Sequence, residues 1–264
     1  MNCIFICVFN QEKYVEMFIV MLDSLLSFGN LNKTHEILVY TSSQFKEMIQ
    51  QHPLFAIAQE QTNMVFAIND NYITVDAACK ARLDLFDLAQ TREYNKVLYL
   101  DTDIIIKGDI TGLFDLPLED KLYALKEGRI EDMNNSHGLL LFRRAPIKLP
   151  RDRSAFTTGI LLFNNCARIK ELFAEVKKII IRWPYKFHCA DQPYIVYMAF
   201  QMRAYDNKLM CEFAINNNSD TNSNKIIHHF TGGPGHYQPK IPAMIDFLAK
   251  LKLLNIRGQP GNEQ

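Results

Sequence analysis

The sequence predicts an α/β protein: one domain with a central mixed, mostly parallel sheet flanked by helices. Three observations predict it. Short apolar runs alternate with segments of helical period over the first hundred residues. From about residue 120 the runs become short strands with little helix between them, which makes the sheet mixed and admits an antiparallel strand. The run "KVLYL" ends in two carboxylates, in "VLYLDTDIII", at the kind of strand end where a parallel sheet binds ligands.

The elements follow in order. Asn2–Phe9 reads as a first strand, with Cys3 and Cys7 on one face. Its apolar stretch is too short for a membrane span and lacks the basic start and cleavage site of a signal peptide. In 12–28, Val15, Phe18, Ile19, Leu22, Leu25 and Leu26 recur at helical spacing, closed by Gly29. "EILVYT" (36–41) is the second strand, and Ser42 or Ser43 caps a helix to about Gln51. Residues 64–68 form a third strand, 75–89 a helix and 96–100 a fourth strand that delivers Asp101. Residues 122–125, 138–143 and 159–163 read as short strands. In 168–181, Ile169, Leu172, Phe173, Val176, Ile179 and Ile180 form a helical stripe. Residues 191–200 make another helix, 226–230 a last strand and 243–254 a last helix. Residues 1–255 are expected as one domain, and 256–264 as a flexible tail.

The 264 residues carry 29 basic and 29 acidic side chains, so no basic excess marks a nucleic-acid footprint. The six cysteines lack zinc spacing and read as reduced, mostly buried thiols. A cytoplasmic protein is expected, and its Met and Phe content permits a homodimer.

Asp101 and Asp103 are spaced i, i+2, which puts both carboxylates on one side of an extended chain. Two hard oxygen ligands at a sheet edge suit Mg²⁺ or Mn²⁺, bridged to phosphates. The ordinary alternative is a turn cap and a solvated charge.

The longer stretch "LYLDTDIIIKGDITGLFDL" resembles the nucleotide-sugar signature of glycosyltransferase family 8, retaining transferases of the GT-A (Rossmann-like) fold. Other segments are similar to that family in the same order. The resemblance implies that Phe9, Asn10 and Tyr14 hold uridine. It brings Arg82, with Lys80 second, toward the donor phosphates, after a small insertion around "AQTREYN". It implies that Asp101, Thr102 and Asp103 meet the donor diphosphate, and that Asp101, Asp103 and His229 ligate the ion, Mn²⁺ or Mg²⁺. "CADQPYI" is similar to the family's DQ pair: Asp191 would meet sugar hydroxyls or orient the acceptor, and Gln192 would face the anomeric carbon. Each residue also has an ordinary reading: Tyr14 as a half-buried helix residue, Arg82 as a surface charge, Asp191 as a helix cap and His229 as a structural histidine.

The chain departs from the family pattern twice. Thr157 and Thr158 stand where an asparagine step meets the donor sugar. Gly235 stands where a lysine meets the diphosphate, leaving that task to His236, Lys240 or the backbone from Gly232 to Gly235, a loop expected to close over the donor. The basic run in "FRRAPIKLPRDRSAF" reads as a solvated loop or as a patch for an anionic acceptor. The implied function is metal-dependent, retaining transfer of a hexose-type sugar from a UDP-sugar to a glycan or protein acceptor, by front-side attack. The alternatives are a non-catalytic nucleotide-sugar-binding protein and a DxD phosphatase of the haloacid-dehalogenase type.

Overall fold

The computed structural model describes residues 1–149, 151–187, 189–217, 219–231 and 239–258. The first strands form as their composition dictates. β1 (Asn2–Val8) is followed by α1 (Glu12–Phe28), β2 (His35–Thr41), α2 (Ser43–Gln51), α3 (Pro53–Gln61) and β3 (Asn63–Ile68). Ser42 caps α2, its side chain accepting from Phe45 N at 3.3 Å. Helix α3 was not expected. Its signals are local and real: Pro53 opens it, and the His52 ring accepts from Leu54 N.

Next come α4 (Val75–Lys80), β4 (Lys96–Leu100), β5 (Ile104–Ile106), β6 (Leu122–Arg129), α5 (Leu139–Arg144), β7 (Ser154–Asn164) and α6 (Ala167–Arg182). The chain ends with α7 (Gln192–Met202), β8 (Tyr205–Asp206), α8 (Met210–Phe213), β9 (Ala214–Asn216), β10 (Ile227–His229) and α9 (Lys240–Gly258). The main sheet has seven strands in the order β3-β2-β1-β4-β7-β6-β8. β3, β2, β1 and β4 run parallel, and β7 is antiparallel to both β4 and β6. A second sheet of three strands has the order β5-β10-β9.

Both faces of the main sheet are covered. Cys3, Phe5, Val97 and Tyr99 point into one core, and Ile4, Ile6, Leu98 and Leu100 into the other. Strands buried on both faces explain the continuous apolar runs. A third cluster joins Met17 of α1, Ile105 of β5 and the α9 face Met244, Phe247, Leu248 and Leu251.

Four expectations need correction. Residues 138–143 form no strand: Gly138 sits at φ 86° and starts α5, whose Phe142 packs against Tyr197 and Phe200 of α7. A six-residue apolar run lacks the length to separate strand from buried helix. The helix expected over 75–89 stops at Lys80, and 3₁₀ turns follow over 81–87 and 89–93. Ala81, Arg82, Leu83 and Leu85 are all buried, an inward crowding that no single 3.6-period stripe provides. Residues 256–258, placed in the tail from sequence, continue α9. Of the cysteines, only Cys3 is fully buried, and the other five are half-buried free thiols.

Ser24 ties α1 to the small sheet. Its hydroxyl donates to Met21 O at 2.6 Å and accepts from Ile106 N of β5 at 3.0 Å, in a buried joint. Ser24→Ala strands the Ile106 N–H. We expect a loss of about 1–3 kcal/mol, the cost of a buried unsatisfied donor, read as a lower urea midpoint.

Candidate active site

The strand order reverses between β1 and β4. β1 continues through α1 to β2 on one side, while β4 lies next to β7 on the other. The carboxyl ends of β1 and β4 therefore diverge, which is where open α/β sheets form a crevice. Two cavities occupy it. The smaller, about 200 Å³, is lined by Phe9, Tyr14, Met17 and Tyr99 among others. The larger, about 520 Å³, is lined mostly by polar groups, including Thr157, Thr158, Gln192 and Asn217. Arg82, Asp101, Asp103 and Lys240 border both.

At this junction Asp101, Asp103 and His229 each offer a ligand atom, and the three atoms lie within 4.8 Å of one another. His229 arrives on β10, whose antiparallel pairing with β5 sets it opposite Ile104. Its Nε2 lies 3.2 Å from Asp103 Oδ1. Its Nδ1 lies 3.0 Å from Asn216 Oδ1, which fixes the Nδ1–H tautomer and turns Nε2 toward the carboxylates. The Asn216 amide in turn donates to Glu127 Oε1 at 3.0 Å. His228 faces the other way, its ring against Phe247.

The donor set fits a divalent cation. Two carboxylates and one imidazole suit Mn²⁺ or Mg²⁺. The cradle also requires a glycine: a Cβ on Gly159 would stand 2.4 Å from His229 Cε1 and 2.8 Å from Asp101 Oδ2. Burial raises the Asp103 pKa, but His229 and Lys240 overcome it and hold the carboxyl well below its usual range. Burial likewise lowers His229, and Asp103 more than offsets it.

Arg82 is the main counter-charge. Its Nη1 donates to Thr158 O at 2.6 Å and lies 3.3 Å from Asp101 Oδ1. Its Nε lies 3.0 Å from Asp191 Oδ2, and the guanidinium covers the Tyr99 ring. Burial would lower its pKa, yet Asp101 and Asp191 hold it well above the usual value. Lys80 instead pairs with Asp76 on the same helix, at 2.5 Å. Asp191 is fully buried behind Arg82 and lines neither cavity. It does not cap α7 with its side chain, and burial, against the pull of Arg82, pushes its pKa up to about 6.

Gln192 has both ends of its carboxamide engaged: Oε1 accepts from Thr158 N at 2.9 Å and Nε2 donates to Ser136 O at 3.1 Å. Lys240, first residue of α9, reaches Asp103 Oδ2 at 2.5 Å. Thr102 is buried at the edge of the smaller cavity, and Asn10 sits beyond β1 at φ 77°. Gly232, Gly235 and His236 lie outside the described residues. Among the described residues, none of the basic run borders either cavity. Arg144 lies over Trp183, and Arg153 pairs with Glu131.

Sequence reasoning missed several contributors. Tyr99, two residues before Asp101 and on the same face, donates to Asp101 Oδ1 at 2.5 Å, and that spacing was a usable signal. Asn216 and Glu127 gave none.

The family model described as Glycosyl transferase family 8 matches residues 6–234. The chain belongs to this family. No curated protein matches it. Its fold is similar to that of the WbbM bifunctional glycosyltransferase (TM-score 0.66, 17% identity), covering 98% of this chain and 52% of that one. The chain thus spans about half the length of WbbM. It is also similar to the galactosyltransferase LgtC solved with donor and acceptor sugar analogues. There the TM-score is 0.62 at 15% identity, with 100% of this chain and 98% of LgtC covered. For mouse xyloside xylosyltransferase 1 the TM-score is 0.62 at 13% identity, with 90% and 100% covered. These likenesses, all under 25% identity, establish a GT-A-type fold. Among the described residues no helix is long and apolar enough to cross a membrane.

Two outcomes test the site without catalysis. Gly159→Ala should weaken Mn²⁺ binding about 10-fold or more, by calorimetric titration, with the far-UV circular dichroism unchanged. Asn216→Leu should weaken it about 10–100-fold, and Asn216→Asp, which still accepts from Nδ1–H, by less.

Proposed function

We propose that the protein is a metal-dependent retaining transferase that moves a hexose-type sugar from a UDP-sugar to an acceptor hydroxyl. The observation that carries this reading is the Asp101–Asp103–His229 group at the neck between a cavity with aromatic walls and a polar one. Phe9 and Tyr14 suit a uracil in the first. Thr157, Thr158 and Gln192 suit a sugar in the second.

Asp101, Asp103 and His229 would hold Mn²⁺ or Mg²⁺, which when bound supplies Lewis-acid stabilisation to the departing diphosphate. Lys240 stands beside that position and takes the charge-neutralising role of the lysine missing at Gly235. Arg82 holds Asp101 and the Thr158 carbonyl in place, and Asp191 in turn holds Arg82. In the transfer, the bond from the anomeric carbon to the phosphate oxygen breaks and the bond to the acceptor oxygen forms on the same face. The acceptor proton passes to the leaving phosphate oxygen. Gln192 supplies no carboxylate nucleophile, and its amide is held at both ends by Thr158 and Ser136, which supports front-side attack.

A panel of UDP-sugars with Mn²⁺, read as UDP release, tests the proposal. One donor should be hydrolysed slowly without acceptor. A chelator should abolish the reaction, and Asp103→Asn or His229→Ala should lower it about 100-fold or more with the fold intact. Release that survives chelation or either substitution overturns the assignment.

A further inference from the structure

The polar cavity has a far wall that the transferase reading uses only through Glu127 Oε1, which holds Asn216. It is built by the end of β6 and the turn after it, and carries Glu127, Asp132 and His137. Gln192 marks the boundary: one end of its amide holds Thr158, on the donor side, and the other holds Ser136, next to His137.

His137 is only 4% exposed, and among the described residues neither ring nitrogen finds a hydrogen-bond partner. Its Nδ1 lies 3.5 Å from Asp132 Oδ2, and its Nε2 lies 4.0 Å from Glu127 Oε2. A buried imidazole left without a hydrogen bond, beside a cavity it lines, needs a partner from that cavity. Burial keeps the ring neutral, lowering its pKa against the upward pull of both carboxylates. The backbone makes room for this group. Gly128 lies at φ 57°, and a Cβ there would stand 2.4 Å from the His137 ring and 2.5 Å from Asp132 Oδ2.

The wall's charge is one-sided. Among the described residues, neither Glu127 nor Asp132 forms an ion pair with a lysine or arginine side chain, His137 being their only such neighbour. Glu127 accepts from the Asn216 amide, and Asp132 Oδ2 accepts from Arg129 N at 2.8 Å. Both carboxylates keep spare acceptor capacity toward the cavity. Such a wall accepts hydrogen bonds and repels anions. The one basic run that suggested an anionic acceptor lies elsewhere, with Arg144 on Trp183 and Arg153 on Glu131.

We infer that Glu127, Asp132 and His137 form the acceptor subsite, that it binds the hydroxyl groups of an uncharged sugar, and that it rejects an acidic one. This rests on the transferase reading and sharpens it by naming the acceptor class. Carboxylates accept from adjacent hydroxyls, and the neutral imidazole both accepts and donates. A uronate in the same place would set a third carboxylate against two.

The test uses the full chain with Mn²⁺ and the UDP-sugar it hydrolyses. Methyl glucoside and methyl galactoside are compared with methyl glucuronide and methyl galacturonide, as acceptor-stimulated UDP release and as glycosylated product. The neutral glycosides should be preferred about 10-fold or more in kcat/KM. In Glu127→Gln/Asp132→Asn, with each rate divided by that variant's own acceptor-free hydrolysis, the preference should fall to about threefold or less. His137→Ala should raise KM for the neutral glycoside more than it changes kcat. Equal or better use of the uronides, no stimulation by any of the four, or an undiminished preference in the double variant overturns the inference. Absence of metal-dependent hydrolysis before any acceptor is added instead refutes the transferase reading itself.

Discussion

The site is held together by one buried guanidinium. Arg82 is 7% exposed and touches four segments at once: Cys79 O behind it, Asp101 at the end of β4, Thr158 O on β7 and Asp191 at the start of α7. A buried charge with one partner is poorly compensated, and removing a partner from such a pair costs about 3–5 kcal/mol. Arg82 has two carboxylate partners and two carbonyls, so its head is satisfied only when β4, β7 and α7 stand in their native arrangement. The 3₁₀ turn after α4 follows from this demand. A regular helix would carry Arg82 on a stripe, whereas the tighter turn packs it inward beside Ala81, Leu83 and Leu85. Asp84, two residues on, anchors the outer side of the same turn through Lys177, Tyr72 and Tyr40.

How much of this is legible in the sequence depends on the range of each interaction. β1, α1, β2 and α6 are set by local period, and their bounds lie close to those read from apolar spacing. α5 is decided by what it packs on. "GLLLFR" suits a strand or a buried helix, and the aromatic face of α7 selects the helix. The same division runs through the site. Asp101 and Asp103 are marked by charge within an apolar run. His229 becomes visible only through the family resemblance, because a histidine near a short strand carries no signal of its own. Asn216 and Glu127 meet across 89 residues, and Gly159 matters because His229 and Asp101 crowd over it. Such residues are defined by the assembled fold, and no window of sequence contains them.

The charged pair in "VLYLDTDIII" has a structural cause that precedes any chemistry. β4 ends at Leu100 in the main sheet, and β5 begins at Ile104 in the small one. Residues 101–103 are the crossing between two ladders. The backbone is still anchored on both sides: Asp101 N donates to Gly159 O at 2.8 Å, and Asp103 O accepts from Phe230 N at 2.8 Å. One anchor belongs to the large sheet and the other to the strand that carries His229. The side chains at the crossing are thus freed from both cores while their positions stay fixed by both. An apolar residue there would have no core to enter. A carboxylate there finds Arg82 on one side and His229 with Lys240 on the other. The pairing of β5 with β10 therefore does two jobs through a single register, closing the small sheet and bringing the third ligand to the two aspartates. A one-residue slip would turn His228 toward the aspartates and His229 toward the α9 core. The register that buries the apolar residues is the same one that assembles the ligand group.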